Sequence, residues 1–250
     1  MWNKPQLMTA IADLLFAAAA AVLLFAAAVW LTRLPHFRLT QVAVTHELVE
    51  VRRADIERAL GGMLRGNFFS VDIEAVRSAL EKISWVRRAE VRRHWPSSLE
   101  LRIEEHRPVA FWGVEGGTQL VNSHGEIFSG VMSSPRPLAT LRGPQAVAAD
   151  MLAQYNEAVE LLRPLGRQPR VLSVSSRLAV QIELDDGLLI ELGRQQAGLP
   201  LRARLQRFAE QFPAVAGTVH ARPSVVDMRY PNGFALRLPV ARGSESKGTQ

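Results

Sequence analysis

At 250 residues, with 48% hydrophobic and 22% charged side chains, the chain has room for two modest domains or one domain plus appendages; its composition is that of a folding protein, and one large enzyme barrel is disfavoured. The absence of cysteine excludes thiolate metal sites, a catalytic thiol and any disulfide framework. The net charge of +6 is carried almost wholly by arginine, and Arg87, Arg88, Arg92 and Arg93 alternate with Glu90 as Arg102 does with Glu100 and Glu104, a pattern of solvated strand faces rather than a nucleic-acid groove.

From Leu14 to Leu31 the chain reads LLFAAAAAVLLFAAAVWL, eighteen residues without a charge. As a helix this run rises about 27 Å, against a bilayer hydrocarbon core of about 30 Å. A wholly cytosolic protein is thereby excluded. The expectation is a spanning helix over 11–32 after a cytoplasmic segment 1–10. Charge counting gives little direction, since Lys4 precedes the run while Arg33, Arg38, Arg52 and Arg53 follow it. The segment before the run is too short to be a domain, and long folded segments cross largely regardless of charge, so the N-terminus is expected inside and the rest outside. A removable signal is the competing reading, because Ala26-Ala27-Ala28 offers an A-x-A cleavage site. Continuation of the run through Val29, Trp30 and Leu31, with Arg33 beyond, favours a retained anchor. Asp13 marks its cytoplasmic boundary.

After Pro35, Leu39 to Val44 is strand-like. Ile56, Leu60 and Met63 share one face of a short helix that Gly61-Gly62 weakens, and Asp72 is placed to cap a second helix with Ile73, Val76, Leu80 and Ile83 on one stripe. Along Val86 to Arg93, Ala89 and Val91 point inward; Leu99, Leu101 and Ile103 repeat the alternation after a turn at Trp95-Pro96-Ser97-Ser98. The order is β-α-α-β-β, with helices on one face of a small sheet.

Asn67-Phe68-Phe69-Ser70-Val71-Asp72, Ile83-Ser84-Trp85-Val86, and the series Ala89, Val91, Arg93, Trp95-Pro96, Leu99, Leu101, Ile103, Glu105, Arg107-Pro108-Val109-Ala110 resemble a POTRA domain, in the version carried by the FtsQ/DivIB cell-division family. A POTRA domain over 37–107 is the expectation. POTRA resemblance alone also fits adaptors of outer-membrane or secretion machinery.

The next segment, 108–240, reads as a mostly antiparallel β domain with helices. Leu120-Val121 and Glu126-Ile127-Phe128 flank a turn; 146–162 is helical with Ala148, Leu152, Tyr155, Val159 and Leu162 on one face, ended by Pro164 and Gly166. Leu178, Val180, Ile182 and Leu184 are expected inward on a hairpin that turns at Asp186-Gly187 into Leu188 to Leu192. Leu201, Leu205, Phe208 and Phe212 form a helical stripe with arginines on the opposite side. Val225 to Tyr230 then runs through Pro231-Asn232-Gly233 into Phe234 to Leu238, and 241–250 is expected to be a disordered tail. Leu192-Gly193-Arg194, the helix from Leu201 to Pro213, and Val226-Asp227-Met228-Arg229-Tyr230 with Asn232-Gly233 and Ala235 are similar to the family's β domain in order and spacing. The whole reads as α+β behind a single N-terminal transmembrane helix.

No two of the six histidines stand at i, i+3 or i+4 spacing, no Gly-x-Ser-x-Gly elbow or phosphate loop exists, and the paired carboxylates Asp185-Asp186 and Glu104-Glu105 are adjacent rather than facing. The expectation is no enzyme, no cofactor, no metal and no small-molecule substrate, against the alternative of a periplasmic wall hydrolase. A sheet that ends on the chain's last strand leaves an unpaired edge, which is either protected or recruits another strand. The resemblance implies the second: an inner-membrane, septal scaffold that binds FtsB, itself complexed with FtsL, through this end of a periplasmic β domain. The partner-binding candidates are Phe234, Ala235, Leu236 and Leu238 on the edge, Tyr230 as an aromatic contact, and Arg229 and Arg177 facing partner acids.

Overall fold

The computed structural model describes residues 5–32, 41–45, 47–64, 68–95, 97–219 and 221–239. Its contacts divide the chain into two compact units, Met1–Glu105 and His106–Gln250.

In the first unit, α1 (Pro5–Thr32) is one unbroken helix. Its portion Met8–Trp30 is long and apolar enough to cross a bilayer. The small domain follows as β1 (Gln41–Val44), α2 (Arg53–Leu60), α3 (Ile73–Leu80), β2 (Val86–His94) and β3 (Ser98–Glu105). Its sheet has the order β1-β3-β2, with β1 parallel and β2 antiparallel to the central strand. Asp72 caps α3 by accepting from the Ala75 N–H at 3.0 Å. Val76, Leu80, Ala89, Leu99, Leu101 and Ile103 close the core. The helix expected to reach Met63 stops at Leu60, before Gly61, and Met63 is exposed. Leu39 and Thr40 of the expected first strand, and the tail 241–250, lie outside the described residues.

The second unit is built on β4 (Pro108–Trp112), β5 (Gln119–Asn122), β6 (Ile127–Ser129), β7 (Ala139–Arg142), α4 (Ala148–Leu162), β8 (Pro169–Val174), β9 (Ala179–Leu184), β10 (Leu189–Arg194), α5 (Leu201–Ala216), β11 (Val225–Asp227) and β12 (Ala235–Arg237). The strands form one sheet of nine in the order β12-β11-β10-β9-β8-β7-β4-β5-β6, antiparallel except where β7 lies between β4 and β8 and where β10 meets β11. The helices α4 and α5 pack against each other and over the sheet, burying Met151, Leu162, Leu172, Ile182, Ile190, Phe208 and Val226 in one core.

Several expectations change here. Strands β4, β7 and β8 had no counterpart in the sequence reading. In α4 Ala148, Leu152 and Leu162 are buried as expected, but Met151 and Ala158 join them, while Val159 and Tyr155 are only half-buried. Leu178 is not an inward strand residue: at φ 60° it turns the chain ahead of β9 and is exposed. In α5 the arginines do not all face away from the core, since Arg204 is 1% exposed, and the helix runs past Pro213 to Ala216. The last hairpin is shorter than expected, so Arg229 and Tyr230 belong to its connection and not to a strand.

Candidate functional site: the last edge of the large sheet

The geometry of this edge starts two strands inward. Between Glu191 and Gly193 the pairing of β10 with β9 slips by one residue, leaving Leu192 as the extra residue of a bulge. A bulged residue loses a ladder partner, and here the buried Arg204 replaces it: its Nη1 donates to the Leu192 carbonyl and, at 2.9 Å, to the Arg194 carbonyl. Among the described residues its Nε and Nη2 have no hydrogen-bond partner, and burial, followed by the charge of Arg207, pulls its pKa down. Gly193 sits at φ 75°, and a Cβ there would come within 2.9 Å of the Arg229 Cγ, so the glycine serves both the backbone angle and the close approach.

That approach ties the outgoing chain. β11 lies parallel to β10, and beyond it the Met228 N–H donates to the Glu191 carbonyl at 2.9 Å. Arg229 folds back on Asp227 through Nε to Oδ1 at 2.8 Å and Nη2 to Oδ2 at 2.5 Å, and its backbone N–H donates to Oδ1 at 3.0 Å. Glu191 adds an ion pair at 3.4 Å. The hydrogen bonds from Arg229 hold the Asp227 carboxyl below its ordinary pKa although burial opposes this, and Asp227 in turn raises that of Arg229. Arg207 donates to the Tyr230 carbonyl at 3.2 Å.

From this anchored turn the chain returns as β12, whose neighbour on one side is β11, with Val226 opposite Leu236. Its other side is the edge of the sheet. Phe234 and Leu236 are half-buried against the core, Ala235 and Leu238 are exposed, and Tyr230 is 55% exposed. Arg177 lies in the turn between β8 and β9. Because β9 starts where β10 ends, with Ala179 opposite Arg194, and β10 is parallel to β11, Arg177 reaches the same end of the sheet as Arg229 and Tyr230. It stands three strands from β12, about 14 Å across the ladder. The seven candidates therefore gather at one edge and one end of the sheet, with Arg177 the outlier. The sequence reading missed Arg204, Gly193 and Arg207 as supports of this edge; Arg204 shows no signal of burial in a helix that carries arginines on both sides.

Among the described residues the histidines do not assemble comparable chemistry. His106 stacks on Phe128 with ring centroids 4.2 Å apart, and Ser123 Oγ lies 3.4 Å from His124 Nδ1 in an exposed turn. Among the described residues no three His, Asp or Glu side chains come together as a metal site.

The chain matches the family described as "POTRA domain, FtsQ-type" over residues 37–106 and that described as "Cell division protein FtsQ/DivIB, C-terminal" over 110–229. It is similar to the cell division protein FtsQ of Nitrosospira multiformis, 35% identical over 95% of this chain and 99% of the relative. It also resembles those of Burkholderia pseudomallei, at 33% over 97% and 96%, and Bordetella pertussis, at 33% over 99% and 97%. The chain belongs to the FtsQ/DivIB cell-division family. Members of this family are cell-division scaffolds and not known enzymes. The FtsQ-type POTRA match falls on the β1 to β3 unit, and the FtsQ/DivIB C-terminal match covers β4 to β11 but ends at residue 229. Tyr230 and β12 lie past that limit.

Proposed function

We propose that this protein is a bitopic inner-membrane scaffold of the division septum, with a short cytoplasmic N-terminus and both folded units in the periplasm. In this reading it holds FtsB, in complex with FtsL, by taking a partner strand onto β12, and so influences septal wall assembly without catalysing a reaction. The observation that carries the reading is the side of β12 that pairs with no strand among the described residues, at the margin of a nine-stranded sheet and flanked by the exposed Tyr230. Main-chain hydrogen bonds along Ala235 to Arg237 supply affinity, and side chains at the same end supply choice of partner. Phe234, Leu236 and Leu238 offer apolar contact. Arg229, though held by Asp227, keeps 58% of its side chain exposed and has N–H groups left for a partner carboxylate, while Arg177 adds positive charge further along that end. The apolar run continues past Ala26–Ala28 through Val29, Trp30 and Leu31, which favours a retained anchor over a cleaved signal.

The test is binding of the full chain in nanodiscs to the periplasmic part of an FtsB–FtsL complex. Phe234→Asp and Tyr230→Ala should each weaken binding by about tenfold or more while the fold is kept, as expected for anchors at the centre of an interface. Absence of wild-type binding, or unchanged binding in folded variants, overturns the reading.

A further inference from the structure

Within the small domain, β1 runs parallel to β3 and pairs Gln41 with Ser98, while β2 runs antiparallel and brings His94 opposite the same Ser98. The turn from β2 to β3 therefore stands at the end of the sheet where the chain arrives from α1. Thr32 ends that helix and Gln41 starts β1, so eight residues separate them. Nine extended steps reach about 30 Å at most. This end of the domain is thus tethered close to whatever surface α1 emerges from.

The side chains at this end suit a bilayer surface. Trp95 is 70% exposed at the turn, in a domain whose other tryptophan, Trp85, is buried. Arg92 is also 70% exposed, and Arg93 and His94 stand beside it. The facing acids are Glu90, 3.4 Å from Arg92, and Glu100, opposite Arg92 in register and already accepting from the Thr45 hydroxyl at 3.1 Å. Arg93 donates to the Val71 carbonyl at 2.9 Å, which draws the neighbouring segment and its half-exposed Phe69 toward the same end. The far end, where β3 finishes, spends the Glu105 carboxylate on the backbone N–H groups of Val49, Glu50 and Val51 and exposes no aromatic ring among the described residues. An indole beside guanidinium groups is the combination that settles at the headgroup level of an anionic membrane, the ring in the interface and the cations on phosphate.

We propose that the β2–β3 turn, through Trp95, Arg92 and Arg93, rests on the anionic bilayer surface that α1 crosses and orients the small domain on it. This rests on α1 being a retained span. The chain has no cysteine, so single cysteines at His94, Val49 and Leu24 in the full-length protein each take one nitroxide label. In nanodiscs of phosphatidylethanolamine and phosphatidylglycerol, the label at 94 should be several-fold less accessible to a water-soluble nickel reagent than the label at 49, and the shielding should fall when Trp95→Ser and Arg92→Glu are added. A label at 24 that is shielded from nickel and open to oxygen reports the span itself. If 24 is shielded but 94 is as open as 49, or if 94 stays shielded in the Trp95→Ser/Arg92→Glu protein, the docking proposal fails while the anchor stands. If 24 is open to nickel, the anchor reading fails and the proposal with it.

Discussion

The two margins of the large sheet are held in different ways. At β6 the margin is locked from within: the fully buried Asn122 reaches Glu126 Oε2 at 2.6 Å and His106 Nδ1 at 2.9 Å, and its Oδ1 accepts from the His124 and Glu126 N–H groups at 2.9 Å each. The stacked His106 covers Phe128, and Gly125 brings the hairpin against the first turn of α4. At β12 the polar network lies behind the strand, in Arg204, Asp227 and Arg229, and positions the connection without covering the edge. Among the described residues both terminal strands pair on one side only, β6 with β5 and β12 with β11, so what distinguishes the two margins is the hold on their connection: a turn locked to the buried Asn122 at β6, a network behind the strand at β12.

The contrast can be broken first at β6. Gly125 has φ +80°, and a Cβ there would lie 2.5 Å from the Ala149 Cα, so Gly125→Ala should cost about 3 kcal/mol or more, read by chemical denaturation. Asn122→Ala leaves the part-buried His124 and Glu126 N–H groups without their acceptor and should cost about 1–3 kcal/mol in the same assay. Both losses belong to the fold, and partner affinity per folded molecule should stay unchanged. Behind β12, Arg204→Met strips the Leu192 and Arg194 carbonyls of their donor but also removes buried guanidinium atoms without partners, so the expected cost is smaller, about 1–2 kcal/mol, and partner binding should fall along with it. The smallest effect at neutral pH is that of Asp227→Asn. The folded carboxyl is held below its ordinary value, so its stabilisation is present above the unfolded pKa of about 3.9 and lost as pH falls through the folded value. Wild type should lose part of its margin below about pH 4, and the asparagine variant should lack that part of the dependence.

How legible each part was in the sequence follows from how local its causes are. The helix capped by Asp72, the alternating strands from Val86 and Leu99 and the turn at Asp186-Gly187 are set by neighbours within a few residues, and they appear in the structure. The strands β4, β7 and β8 are joined by parallel pairing, which needs a long crossover and leaves no turn signature; Thr140 and Leu141 are buried in a strand of only four residues. Leu178 carried the alternation of a strand but turns at positive φ, because the Leu178 N–H and the Ala179 carbonyl both close onto Ser175. The edge position of β12 was readable because a strong turn signal, Pro231-Asn232-Gly233, folds it back on the strand before it, and it is the last strand among the described residues. Its supports were not, since a buried arginine at 204 and a bulge at 192 depend on contacts between elements that periodicity does not record.

The most direct measurement is amide hydrogen exchange of the full-length protein with and without the FtsB–FtsL periplasmic complex. Strand addition requires that amides of Ala235 to Arg237 exchange far more slowly in the complex, with those of Ile127 to Ser129 unchanged. A complex that forms while the β12 amides exchange as in the free protein would contradict the account.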